Sequence, residues 1–304
     1  MAFDFFFAGT QCQESTDLLC KLNANVLKSY MNDRKELDKW FENRRKGWTG
    51  KLFVDSGAFT VHKQGGEVDV DKYIEYLNKY EPYITYYIQL DSIPGVWGKP
   101  RTYDMVLKSC EKTWNNYVYM RKYLINGKKL CPVYHMGEPV KALHRILDSK
   151  YEFDCMCVSG AKDLTASQRM DWYQKILPIV KSKRPNVKVH GLGIGVPETV
   201  ESIQFDSIDA TSWIMTGANG SILTDYGIVY VSYEGRHKKN HINNMPQEAV
   251  NKIKKYCEDA GYNFEEVQKS YKLRTMLNIL YLFNKSNNIE YIYNPIKKGS
   301  LFEL

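Results

Sequence analysis

No apolar run in this chain is long enough to span a membrane. Its opening residues, "MAFDFFFAGT", are too short for a secretory leader and carry an acid, Asp4. They read as a first core strand, and a soluble, cytoplasmic protein with no membrane partner is expected. The seven cysteines, at 12, 20, 110, 131, 155, 157 and 257, are odd in number and widely spaced, which argues against a disulfide framework. "CMC" at 155–157 puts two thiols on one side of a strand, but no second pair at zinc-site spacing accompanies it. Buried core cysteines are expected there, and no metal site. P-loop, zincin, kinase and nucleophile-elbow motifs are missing. "GLGIG" at 191–195 lacks the spacing of a dinucleotide loop, and no cofactor is expected. With no long Gly/Ser linker, low-complexity tract or internal repeat, residues 1–304 read as one domain.

What is present is globular. Hydrophobic residues make up 43% and charged residues 25% of the 304, enough for a sizeable core. Twenty-three tyrosines suit half-buried positions in a strand-rich protein better than a stacking surface. The net charge of +7 favours a polyanionic partner without naming one.

Short apolar runs recur, and each ends in something polar. "FVDSGAFT" closes on Asp55, "YITYYIQLD" on Asp91, "LCPVYHMGE" on His135 to Glu138, and "FDCMCVSGA" on Ser159-Gly160. "VKVHGLGIG" passes through His190 into glycines, and "FDSIDATSW" holds Asp206 and Asp209. Between them lie segments with apolar residues at three- and four-residue spacing, such as Val70, Tyr73, Ile74 and Leu77 before Pro82. Helices alternating with apolar strands imply a parallel sheet covered by helices. About seven such units are counted from residue 3 to about 215, enough for a (β/α)8 barrel of TIM type if one terminal unit is irregular. A doubly wound open sheet is the rival, but it gathers polar groups at one switch point rather than at every strand end. Residues 216–304 add helices that complete or cover the barrel, including one long helix over "EEVQKSYKLRTMLNILYLFNKS".

A barrel would aim Asp55, Asp91 and Asp209 into one mouth. Such carboxylates suit metal binding or acid, base and nucleophilic chemistry. The plain alternative is that acids and hydroxyls at strand ends cap the next helix, as Ser56 or Thr60 would. His237 and His241 in "HKKNHINN" sit four apart beside two lysines, which suits a polyanion-facing loop better than a ligand pair.

At these residues the chain resembles the tRNA-guanine transglycosylase family. "FVDSGAFT" is similar to its Asp-Ser-Gly-Gly-Phe-Gln motif, with Ala58 and Thr60 replacing Gly and Gln. "YIQLD" is similar to the segment ending in the base-reading aspartate, and His135 falls where the family has glutamine. "CVSGA" resembles the wall under the bound base, and "HGLGIGVPETV" the Met-Gly-Val-Gly-x-Pro-Glu stretch. The resemblance spans roughly residues 50–230. It implies a (β/α)8 barrel exchanging guanine for a free 7-deazaguanine, such as 7-cyano-7-deazaguanine, in a nucleic acid. Asp209 would be the nucleophile and Asp55 its catalytic partner. Asp91, Ser56, Gly57, His135, Ser159, Gly160, Ala161, His190 and Gly191 would surround the base. The family's zinc cluster and appended RNA-binding domain have no counterpart here. The Asp-Ser-Gly-Ala-Phe form is more similar to virus-encoded relatives acting on DNA, which implies DNA rather than tRNA as polymer and, for a virus, the host cytoplasm. Arg236, His237, Lys238 and Lys239, with "RKELDKWFENRRKGW" and "KSYKLR", are candidates to hold backbone phosphate. Two rivals remain: a metal-dependent hydrolase ligated by Asp55, Asp91, Asp209, His135 and His190, and a barrel that binds nucleic acid without catalysis.

Overall fold

A computed structural model describes residues 3–9, 12–96, 99–161, 164–194 and 204–288. Nine parallel strand segments form one sheet: β1 (Asp4–Ala8), β2 (Asn25–Ser29), β3 (Leu52–Asp55), β4 (Tyr86–Ile88), β5 (Leu130–Cys131), β6 (Val133–His135), β7 (Cys155–Ser159), β8 (Lys188–Leu192) and β9 (Ser207–Ala210). Their order is β5-β4-β3-β2-β1-β9-β8-β7-β6. The two outer members are parted in sequence only by Pro132, whose missing N–H interrupts the ladder. One stretch of chain therefore pairs with β4 on one side and β7 on the other. The Cys157 N–H donates to the Pro132 carbonyl at 2.8 Å across that break. The sheet thus comes round on itself as a (β/α)8-type barrel of eight strand positions.

Strand alternation sorts the side chains. Phe6, Leu27, Phe53, Ile88, Cys131, Val133, Cys155 and Cys157 fill the barrel interior. Phe7, Val26, Val54, Tyr87, Tyr134, Val158 and Ile208 face outward into the core beneath the helices. Because side chains repeat every second residue, Asp55, His135, Ser159 and Asp209 continue the inward rows begun by Phe53, Val133, Cys157 and Ser207. They sit one layer higher, at the C-terminal ends of their strands.

The outer layer contains α1 (Gln13–Lys21), α2 (Arg34–Arg45), α3 (Ala58–Lys63), α4 (Val70–Lys79), α5 (Tyr103–Tyr123), α6 (Val140–Leu147), α7 (Ala166–Lys183) and α8 (Ser212–Ala218). In α4 the expected stripe buries Tyr73, Ile74 and Leu77, and the Asp69 side chain caps the start by accepting from the Asp71 and Lys72 N–H groups. No helix among the described residues is long and apolar enough to cross a membrane.

One strand departs from the sequence expectation of seven units. β2 carries Lys28, which breaks the apolar run that would have announced it. The ammonium faces outward, is 2% exposed, lies 5.7 Å from the Trp40 ring and donates to the Gly9 carbonyl. Burial pushes its pKa down to about 8.

After α8 come a hairpin, β10 (Ser221–Thr224) and β11 (Gly227–Tyr230), and three helices, α9 (Gln247–Asp259), α10 (Phe264–Lys269) and α11 (Tyr271–Asn287). They enclose a second small core of Ile222, Val229, Val231, Ile242, Ile253, Cys257, Val267 and Leu277. α11 packs on α8, α1 and β1. The single long helix expected over 265–286 is two helices. Ser270 is extended between them, and its hydroxyl accepts the Leu273 N–H at 3.4 Å, ending one helix and capping the next.

Candidate active site

Asp209 lies beside Phe6 of β1 in register and is 7% exposed. Its Oδ1 accepts the Gly193 N–H at 2.8 Å and lies 3.3 Å from His190 Nε2. His190 is fully buried, packed against the rings of Phe53 and Phe6 at 4.6 and 5.5 Å. Its Nδ1 lies 2.8 Å from the Ser207 hydroxyl. A carboxylate can only accept, which assigns the ring proton to Nε2 and lets Nδ1 accept from Ser207. Ser207, His190 and the Gly193 amide therefore hold one oxygen of Asp209 in place.

Asp55 stands across the sheet on β3. Its Oδ2 accepts the Gly57 N–H at 3.1 Å. Burial, reinforced by the charges of Asp91 and Asp209, pushes its pKa up to about 7 against the pull of the Gly57 and Ser56 amides. Gly57 cannot be replaced without strain, since its φ is +79° and a Cβ would fall 2.6 Å from Ser29 Oγ. Ser56 is fully buried, and its hydroxyl accepts the Ala58 N–H at 3.3 Å, so it shapes the turn into α3.

Asp91 follows β4, and its Oδ2 lies 3.0 Å from His135 Nε2. The other ring nitrogen, Nδ1, lies 3.2 Å from Glu138 Oε1, while Glu138 Oε2 accepts the His135 backbone N–H at 3.1 Å. Burial alone would lower the pKa of His135. The bonds to Asp91 and Glu138, with their charges, outweigh it and push the ring up to about 10.

The remaining expected residues divide. Ser159 is in register with His135 on the inner side. A Cβ on Gly160 would fall 2.5 Å from Tyr173 Oη and 2.8 Å from Arg169 Cδ, so its smallness serves the packing of α7. The Ala161 carbonyl accepts from Arg169 at 3.4 Å. Gly191 alternates with the inward His190, and a Cβ there would meet Ile194 at 2.3 Å and Phe205 at 3.1 Å, outside the barrel. The stretch from Gly195 to Val200 lies outside the described residues. Asp206 is no part of the mouth: it accepts the Val189 N–H at 2.7 Å and pairs with Lys181 at 2.6 Å.

Arg236, His237, Lys238 and Lys239 form an exposed loop after β11. Arg236 lies over the Tyr233 ring at 4.8 Å and Lys238 over Tyr230 at 5.6 Å. His241 departs from the polyanion-facing expectation: it is 1% exposed, with Nε2 3.2 Å from the Ser232 carbonyl and Nδ1 accepting the Asn243 N–H. Two of the other basic candidates are also consumed internally. Arg274 of "KSYKLR" is 5% exposed and donates to the carbonyls of Gly217, Val267 and Gln268. Arg44 donates to those of Trp48 and Gly50.

Cys131, Cys155 and Cys157 are fully buried in the barrel interior. Among the described residues, no three His, Cys, Asp or Glu side chains are grouped to hold a metal ion. Sequence reasoning missed Glu138 and Ser207 as working parts. Gly160, Gly191 and Gly193 were expected to offer backbone N–H groups to a flat ligand, and the Gly193 N–H is instead given to Asp209. The signals were there in Glu138 three residues past His135, and in Ser207 two before Asp209 on one strand face. Compared with protein-family models and with curated proteins, the chain finds no match.

Proposed function

We propose that the protein is a base-exchange glycosyltransferase that replaces guanine in DNA with a free 7-deazaguanine through a covalent aspartyl-glycosyl intermediate. The observation that carries this reading is a pair of carboxyls in contrasting environments at one barrel mouth. Asp209 is held by two N–H groups, and Asp55 is pushed up to about 7, where it can both give and take a proton.

The target nucleotide leaves any stack to enter the mouth. An Asp209 oxygen attacks C1′ as the C1′–N9 bond breaks, and the departing guanine takes the proton of Asp55. The incoming 7-deazaguanine then attacks C1′ through N9 and returns a proton to Asp55, releasing Asp209. Asp91 accepts from the N–H edge of the base, as a carboxylate reads a donor-bearing base. Exposed cations, Arg236, Lys238 and Lys239 among them, hold backbone phosphate.

The same chemistry fits a guanine in tRNA, so the test carries both polymers. Purified protein is incubated with single- or double-stranded DNA, or with tRNA, and labelled guanine or 7-cyano-7-deazaguanine. Label entering DNA supports the reading; label entering tRNA alone changes the polymer, and label entering neither overturns it.

A further inference from the structure

The turn after β6 is built to bring Glu138 back onto His135. Gly137 takes a φ of +98°, the Glu138 N–H donates to the His135 carbonyl at 3.1 Å, and Tyr134 Oη donates to the Glu138 carbonyl at 3.0 Å. The Met136 N–H donates to the Ser159 carbonyl at 2.9 Å, tying the turn to β7. So held, the Glu138 carboxylate grips one residue twice, through the His135 backbone N–H and ring Nδ1. The side chains of Glu138, Asp91 and His135 are 9%, 15% and 25% exposed, so the two carboxylates are largely shielded from water and the ring between them is partly open.

We propose that Glu138 and His135 are a positioning pair that aims the Asp91 carboxylate at the N–H edge of the base, His135 itself making no hydrogen bond to the base. Both ring nitrogens are already committed, one to each acid. With its pKa up at about 10, the ring keeps both protons at neutral pH and donates in both directions. Turning the ring to reach a ligand would take the ring donor from Asp91 Oδ2 and Glu138 Oε1, leaving Glu138 only the His135 backbone N–H, which is costly. The imidazolium thus fixes one Asp91 oxygen. This inference rests on the base-exchange reading, because it takes Asp91 as the group that meets the base.

The test is a double-mutant cycle on the full chain. Glu138→Gln should raise the KM for free 7-deazaguanine about tenfold, with kcat at saturating base and the KM for the polymer within twofold of the unmodified protein. His135→Ala should do the same, and His135→Gln, whose amide can still donate to Asp91, should recover most of the loss. In an Asp91→Ala background, Glu138→Gln should add nothing, since its effect runs through Asp91. An undiminished further loss in that background, or equal losses for base and polymer, would overturn the proposal. Calorimetric binding of free guanine separates this failure from failure of the parent reading. If the unmodified protein exchanges no base yet binds guanine, the base-exchange reading falls, and the Glu138→Gln dissociation constant decides the pair. If it binds no guanine, both fall.

Discussion

At Asp209 the carboxylate accepts the Gly193 N–H and faces His190 Nε2, so Asp209→Asn keeps the volume and removes the nucleophilic oxygen. Exchange should fall by at least about a thousandfold, as expected for a lost nucleophile, with polymer binding by gel shift unchanged. Asp206→Asn instead loses the Lys181 ion pair. It should lower stability by roughly 1–3 kcal/mol and leave exchange intact, and activity lost there instead of at Asp209 would move the assignment. Asp55 makes a pH prediction. Its pKa is about 7 in the fold against an ordinary 3.8, so between those values the folded chain binds a proton that the unfolded chain has released. The stabilisation is complete below the lower value and is lost as pH rises through 7. Asp55→Asn should therefore raise the unfolding free energy at pH 8, by no more than about 4 kcal/mol, seen as a higher Tm, and leave both unchanged near pH 3. Formation of the covalent intermediate, followed in a single turnover, should decline above pH 7 in the unmodified protein. The three acids were legible because a carboxylate has no business ending an apolar strand. Glu138 and Ser207 were not, because they act on a histidine rather than on a ligand, and only register brings them to it.

Among the elements, α11 is tied to α8 by the buried side chains of Arg274 and Asn278. Asn278 is fully buried, accepting the Leu223 N–H at 2.7 Å and donating to the Trp213 carbonyl at 3.1 Å. It thereby ties the hairpin and α8 to one helix. Asn278→Ala leaves a buried donor and acceptor unmatched and should cost about 2–4 kcal/mol, read as a lowered denaturation midpoint, while room-temperature exchange stays near normal. Helices such as α4 were readable from spacing, since their apolar stripe faces the sheet. β2 was not, because Lys28 is buried against Trp40 on the helix side, where a sequence reading expects an apolar residue. The break at Ser270 was hidden for a related reason. Helical spacing continues through it, and the cap that splits α10 from α11 is one hydroxyl. Barrel closure through Pro132 is a matter of pairing on both sides of one short stretch, which periodicity cannot express.

For the whole molecule, the +7 charge overstates what is free to meet a polymer. Arg44, Arg184, Arg274 and Lys129 donate to backbone carbonyls, so part of that charge is tied down within the fold. Arg236, His237, Lys238 and Lys239 remain exposed on one loop. If that loop touches phosphate, replacing Lys238 and Lys239 with alanine should lower the slope of log affinity against log salt. The expected loss is about 0.9 per contact on duplex DNA and about 0.7 on single strands. The KM for the free base should not move, since no described bond joins the loop to Asp55, Asp91 or Asp209. Salt dependence cannot choose between DNA and tRNA, because counterions leave either backbone. The choice of DNA is part of the proposal and rests on the Asp-Ser-Gly-Ala-Phe form of the segment from Asp55 to Phe59. At matched ionic strength the protein should transfer labelled 7-deazaguanine into guanine-containing DNA and leave folded tRNA nearly unlabelled, even where gel shifts show that it binds both. Efficient labelling of tRNA with none of single- or double-stranded DNA would reverse the polymer. It would leave the barrel and the proposed roles of Asp209, Asp55 and Asp91 standing, because both polymers share the C1′–N9 bond and the guanine edge that those acids are proposed to meet.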